Sequence, residues 1–173
     1  ITGSNGKTTT STLVYELLAK TFPGKTHLCG NIGIPLCETV LENGLMEEGG
    51  HYIALEISNF QLVNIDRFRP EVAVILNLTP DHVDFMGSLD AYYKSKTEVY
   101  RNMSGSDLFL LNADDPVLAE YTAKYPVNCT VRTFSTDRSD TDSCVSGGYV
   151  CVNGEKVLPL DLIKIIGKHN LQN

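Results

Sequence analysis

The sequence predicts an α/β fold: a doubly wound, mostly parallel sheet of phosphate-loop type, flanked by helices, with a small antiparallel hairpin appended near the C-terminal end. Three observations carry that prediction. A glycine-rich loop, Gly3-Ser4-Asn5-Gly6-Lys7-Thr8, runs straight into a helical stretch. Short apolar runs then alternate with helical segments as far as residue 124, the signature of a parallel sheet built from βαβ units. Further on, Gly147-Gly148 and Asn153-Gly154 separate short β-branched runs, and Asn-Gly between such runs is a hairpin signal.

Taken in order, residues 8–19 read as the helix after the loop, with Leu13, Leu17 and Leu18 as its apolar face. Residues 26–28 form a short strand, and 35–47 a helix with Leu36, Val40 and Leu41 as its stripe. Residues 52–57 and 72–76 are near-continuous apolar runs, as expected of strands buried on both faces. A helix over 89–102, a strand over 108–111 and a helix over 114–124 follow, the last with Pro116 in its first turn and Asp114 as its N-cap. From Cys129 the texture changes: 135–143 is polar and loop-like, and Val145, 149–152 and 156–158 supply the hairpin strands.

At 173 residues the chain has the length of one ordinary domain. Only Ile1 and Thr2 precede the loop, where a feeding strand is needed, so a piece trimmed from a longer protein is expected. Lys and Arg total 14 against 21 Asp and Glu, a net charge of −7 that argues against nucleic acid as a partner. No apolar run approaches a membrane span, and no signal peptide is visible. Cys29, Cys37, Cys129, Cys144 and Cys151 are odd in number and contain no C-x-x-C pair, which points to free thiols in a reducing cytoplasm and away from zinc.

The loop implies polyphosphate chemistry. Glycines let backbone N–H groups close around phosphate oxygens, a helix N-terminus adds its dipole, Lys7 can reach the β- and γ-phosphates, and the Thr8 hydroxyl can ligate Mg²⁺. Its spacing is two residues tighter than G-x-x-x-x-G-K-T. Ligands of open α/β sheets lie beyond the carboxyl ends of the strands. The polar residues at those ends are Asn31 after the first strand, Glu56 and Ser58 at the second, and Asp81, His82 and Asp84 after the third. Lys94 and Lys96 lie about 200° apart around their helix, so at most one faces such a site.

Six blocks, TGSNGKTTT, GNIGIP, LEISNFQL, NLTPDHVD-x₂-GS, AYYKSK and LNADDP with the terminal GKHNLQN, together resemble the central ATPase domain of the Mur ligases, enzymes of peptidoglycan precursor synthesis. The shortened phosphate loop is the form that family has. The segment Glu56-Ile57-Ser58-Asn59-Phe60-Gln61-Leu62 resembles the E-L-S-S-F-Q-L of its D-glutamate-adding branch, with Asn59 in place of the second serine.

The resemblance implies an ATP-dependent, ADP-producing amide ligase, bacterial and cytoplasmic, that couples UDP-N-acetylmuramoyl-L-alanine to D-glutamate through an acyl phosphate. It implies that Gly3, Ser4, Asn5, Gly6, Lys7, Thr8 and Thr9 cradle the ATP phosphates, and that Asn170 and Asn173 hydrogen-bond adenine. Thr8 and Glu56 would hold a first Mg²⁺, and His82 with a carbamylated Lys96 a second. Asn31 and Ser58 would line the phosphoryl-transfer site. Residues 1–173 would be the middle of three domains, monomeric, and inactive as a ligase without its flanking UDP-binding and amino-acid-binding domains. Two other readings stay open: a different Mur-type or folylpolyglutamate synthase-like ligase, and a nucleotide-binding module with no turnover of its own.

Overall fold

The computed structural model describes residues 1–81, 83–165 and 167–173, and for 83 and 84 the backbone alone. Its elements run α1 (Lys7–Thr21), β1 (Thr26–Gly30), α2 (Leu36–Glu42), β2 (Tyr52–Glu56), α3 (Asn59–Leu62), β3 (Val72–Ile75), α4 (Val83–Met86), α5 (Leu89–Thr97), a 3₁₀ turn at Glu98–Tyr100, β4 (Gly105–Asn112), α6 (Pro116–Lys124), β5 (Cys129–Ser135), β6 (Ser143–Ser146), β7 (Tyr149–Val152), β8 (Glu155–Pro159), a second 3₁₀ turn at Leu160–Leu162 and α7 (Lys168–Gln172).

β1 pairs with β2 in parallel, and β3 to β8 form a six-stranded sheet in sequence order. The two are joined through the first residues of the chain. The Ile1 amino group donates to Leu55 O at 2.8 Å and Ile57 N donates to Ile1 O at 3.0 Å. On the other side Thr2 N donates to Val74 O at 3.0 Å and Leu76 N to Thr2 O at 2.9 Å. The N-terminal segment thus lies between β2 and β3, and the chain order places it where strand direction of travel reverses across the sheet. That is the topological switch point, where ligands of doubly wound folds bind.

Pairing stays parallel through β5–β6 and turns antiparallel at β6–β7 and β7–β8. The appendage therefore extends the main sheet. The core lies on the face covered by α3, α5 and α6, around Leu62, Ile75, Tyr92, Phe109 and Leu118. Two-residue alternation in β3 and β4 sets this face: Ala73 and Ile75 pair with Phe109 and Leu111.

Several expectations need correction. The strand β5 was not anticipated, because Thr130, Val131 and Arg132 are exposed and no continuous apolar run marks it. The α2 helix stops at Glu42, well short of residue 47, since Gly44 turns at φ 62° and the Asn43 amide caps back onto Thr39 O at 2.9 Å. Leu17 and Leu41 point outward, 67 % and 74 % exposed; α1 buries Thr10 and Ser11, and α2 buries Thr39. The N-cap of α6 is Asp115, whose carboxylate accepts from Leu118 N at 3.0 Å; Asp114 accepts instead from Ser135 Oγ and from Thr136 N at 2.7 Å. The helix expected over 89–102 ends at Thr97 and tightens into the 3₁₀ turn. All five cysteines are free.

Candidate nucleotide and metal site

The site assembles at the carboxyl ends of the N-terminal segment, β1, β2 and β3. Gly6, the N-cap of α1, has φ 85° and offers no side-chain cap, and the first turn of α1 contains no acidic residue. The first N–H groups of a helix have no intrahelical partner, so this end of a 15-residue helix is suited to an anion. A Cβ on Gly6 would lie 2.2 Å from Asn173 Oδ1, the movable end of a side chain, so it is the left-handed φ of 85° that calls for glycine here.

Glu56 closes β2 and is 2 % exposed. Its carboxylate is held from two sides: Thr8 Oγ1 donates to Oε2 at 2.8 Å and Asn31 Nδ2 to Oε1 at 3.0 Å. The Asn31 backbone N also donates to Glu56 O, at 2.9 Å. That close approach depends on Gly30, where φ is 124° and a Cβ would lie 2.0 Å from Glu56 O. Parallel pairing of Gly30 with Glu56 fixes the register that brings the asparagine to the carboxylate. Thr8 of the phosphate loop and Asn31 and Glu56 of two predicted strand ends therefore meet.

Lys7 and Lys96 converge on one carbonyl. Lys7 Nζ donates to Gly3 O and Ser4 O, each at 3.0 Å, and Lys96 Nζ donates to Gly3 O at 3.0 Å. Lys96 is 1 % exposed and sits 4.7 Å from the centroid of the Tyr92 ring, whereas Lys94 is exposed against Tyr125. Spacing predicted that only one of the pair could face inward, and it is Lys96. Burial pulls its pKa down to about 7; the nearby Lys7 charge acts in the same direction and Asp81 opposes it.

Other predicted residues are placed differently. Ser58 is buried at the start of α3, and its hydroxyl and backbone N both donate to Gln61 Oε1 at 2.9 Å, a capping arrangement that occupies the serine within its own helix. Asn173 Nδ2 donates to Asn170 Oδ1 at 3.2 Å, and α7 is tied down by Gln172 Nε2, 3.5 Å from both Asp114 Oδ2 and Thr136 Oγ1. His82 lies outside the described residues. Ser4 is also a junction: its Oγ donates to Thr79 O at 2.8 Å, and it accepts from Thr79 N at 2.9 Å and from Tyr92 Oη at 3.1 Å.

The donor set fits a magnesium–nucleotide. Thr8 and Glu56 supply the hard oxygens Mg²⁺ prefers, beside a cradle that can bring phosphate oxygens. No group of three His, Cys, Asp or Glu that would hold an ion by protein alone occurs among the described residues. An ammonium at Lys96 offers no oxygen, so that position fits a metal only after conversion to a carbamate.

The sequence profile of the Mur ligase middle domain matches residues 1–173, the whole chain. The chain belongs to the Mur ligase family. Among curated relatives, the UDP-N-acetylmuramoylalanine–D-glutamate ligase of Geobacillus kaustophilus (strain HTA426) is 39 % identical over 174 residues, covering 100 % of this chain and 37 % of the relative. The enzyme of the same name from Bacillus subtilis (strain 168) is 36 % identical over 174 residues, with the same coverage. This Mur ligase middle domain thus spans well under half the length of those relatives. Among solved structures, MurF from Acinetobacter baumannii superposes with a TM-score of 0.68 at 22 % identity, over 99 % of this chain and 39 % of that one. The MurF ligase of Thermotoga maritima in complex with ADP gives 0.62 at 20 % identity, over 99 % of this chain and 42 % of that one. These two likenesses show the fold.

Sequence reasoning passed over Asn77, Asn112 and Asp115. Asn112 Nδ2 donates to Leu76 O at 2.7 Å and Asp115 Oδ2 accepts from Leu78 N at 2.7 Å, so the turn after β4 clamps the loop after β3. Their position at strand ends was the available signal.

Proposed function

We propose that this middle domain binds ATP and Mg²⁺ for a ligase that joins D-glutamate to UDP-N-acetylmuramoyl-L-alanine, with the flanking domains holding the UDP-sugar and the amino acid. The observation that supports it most directly is the buried Glu56 carboxylate held by Thr8 of the phosphate loop and Asn31 of the neighbouring strand end. The D-glutamate assignment rests on the names of the curated relatives, at 35–39 % identity.

The substrate carboxylate oxygen attacks the γ-phosphorus of ATP, the bond to the β,γ-bridging oxygen breaks, and ADP leaves. The incoming amine then attacks the acyl carbon, loses a proton, and the tetrahedral intermediate expels phosphate. The first step requires two anions to meet. Like unit charges 4 Å apart cost about 4 kcal/mol at an effective dielectric constant of about 20. Lys7, moving from the Gly3 and Ser4 carbonyls to the β- and γ-phosphates, supplies a positive charge where negative charge develops. Thr8 and Glu56 would hold Mg²⁺, which would supply Lewis-acid screening of the phosphate oxygens. Buried Lys96, partly neutral near pH 7, is chemically able to add CO₂ and present a carbamate oxygen, with His82 as its partner at a second Mg²⁺. The adenine would lie toward Asn170 and Asn173.

Phosphate release by the full-length protein tests the assignment. The expected result is ATP-dependent release from UDP-N-acetylmuramoyl-L-alanine only with D-glutamate present. Release with meso-diaminopimelate or a folate in its place would overturn the substrate assignment.

A further inference from the structure

The phosphate loop is shaped from outside as well as by its glycines. Asn5 presents both its backbone groups to one neighbouring side chain: Asn5 N donates to Asn77 Oδ1 at 2.9 Å, and Asn77 Nδ2 donates to Asn5 O at 3.1 Å. The amide of Asn77 thus imitates a strand partner, closing both bonds a β ladder would make, one residue before the chain swings at Gly6 into α1. The backbone of Asn77 adds a third bond, accepting from Ser4 N at 3.0 Å. Asn77 itself is fixed on both sides, by Asn112 on Leu76 O and by Asp115 on Leu78 N. A chain of hydrogen bonds therefore runs from the α6 cap, through the loop after β3, to the turn that must face a triphosphate.

This geometry has a consequence for the anion site. The Asn5 N–H is directed at Asn77 and is withheld from phosphate, which leaves the cradle to the N–H groups from Gly6 onward. Without the Asn77 amide, the Asn5 N–H and C=O lose their partner; Ser4 N on Asn77 O, Lys7 Nζ on Ser4 O and Asn5 Nδ2 on Thr79 Oγ1 remain, so the turn would be held less firmly at the Asn5–Gly6 peptide. The cradle would then have to be ordered at the expense of binding energy, as any unordered loop must be.

We propose that Asn77 is a positioning residue of the nucleotide site, holding the Asn5 peptide so that the phosphate loop is preformed. This rests on the nucleotide-binding reading above. The test is direct titration of the full-length protein with Mg·ADP, well below its melting temperature. Asn77→Ala removes the two side-chain bonds and is expected to weaken Mg·ADP binding about tenfold. Asn102→Ala is the matched control: Asn102 Nδ2 also makes two loop-holding bonds, to Asp66 O at 2.7 Å and Phe68 O at 2.9 Å, outside the phosphate loop. It is expected to lower the melting temperature similarly while leaving affinity unchanged. Should Asn77→Ala fail to fold, Asn77→Ser, which keeps a polar group too short to bridge Asn5, takes the same titration. A loss under threefold in the folded variant, or an equal loss in Asn102→Ala, would overturn the positioning role. No Mg·ADP binding by the wild-type protein would instead overturn the nucleotide reading on which it rests.

Discussion

The two ends of the sheet treat charge in opposite ways. At the carboxyl ends of the strands, Glu56 and Lys96 are 2 % and 1 % exposed, and each is held by uncharged partners: a hydroxyl and an amide for the carboxylate, a backbone carbonyl for the ammonium. At the amino ends, Arg69 grips Asp107 through Nε–Oδ2 at 2.6 Å and Nη2–Oδ1 at 3.1 Å, with the arginine side chain 51 % exposed. That pairing holds the Asp107 carboxyl below its usual range, with Ser104 N assisting. Charges at one end neutralise each other near water. Charges at the other end are desolvated and, among the described residues, have no counter-charge within hydrogen-bond distance, a condition that costs stability and suits a site for a cation and a polyanion.

The largest expected effect follows from removing the buried carboxylate. Glu56→Ala leaves the Thr8 hydroxyl and the Asn31 amide without their common acceptor, and ADP formation by the full-length enzyme should fall about a thousandfold, read by steady-state coupled assay. Lys96 should show the next largest effect, and of two kinds. Lys96→Ala should lower turnover about a hundredfold, and formate or acetate should restore part of it if a carbamate is the working group; no rescue would count against the carbamate. Lys96→Met, which exchanges a desolvated ammonium for an apolar chain of similar length, should raise the melting temperature while activity is lost. A lower melting temperature would show that the ammonium is a stabilising part of the fold. At the other end, Arg69→Ala should lower the melting temperature by a few degrees and leave Mg·ADP affinity within error, because its partner Asp107 has no contact with the phosphate loop.

The contrast also separates what the sequence showed from what it hid. Glu56 and Asn31 were legible because strand ends can be read from apolar runs, and ligand sites follow from them, while Thr8 was legible from the glycine-rich loop. The choice of Lys96 over Lys94 needed the family pattern, since helical spacing excluded only their joint use. The exposed Leu17 and Leu41 were misread because α1 and α2 pack through Thr10, Ser11 and Thr39, small polar residues that a hydrophobic stripe does not reveal. β5 escaped because Thr130 to Arg132 are solvent-facing. Asp114 looked like a cap because either member of an Asp-Asp pair before proline can serve. The chain geometry chose Asp115, freeing Asp114 to accept from Ser135 and Thr136, a set of bonds that holds its pKa down against burial. Asn77 is the instructive omission: its role depends on Asn5, 72 residues away in sequence, and no local pattern encodes that pairing.

The smallest effect belongs to a histidine pair at the amino ends, where His27 is the second residue of β1 and His51 precedes β2. His27 Nε2 lies 3.0 Å from His51 Nδ1, while His51 Nε2 is buried and has no partner among the described residues. Burial, and His51 beside it, lower the His27 pKa below its ordinary 6.5. The folded state then binds fewer protons than the unfolded one, so stability rises with pH in this window. The contribution is complete above about pH 6.5 and fades as pH falls through the lowered value. Lys96, pulled down to about 7, adds its own rise of stability with pH above 7, so the His27 contribution is read from pH 6.5 down to 5, where the melting temperature should decline, a range that lies above the lowered carboxyl groups of Asp107, Asp114 and Asp142. His27→Gln should flatten the decline without changing Mg·ADP affinity at pH 7.5. An unchanged slope in the variant would place the pH dependence elsewhere, and a loss of affinity would mean that the two ends of the sheet are coupled.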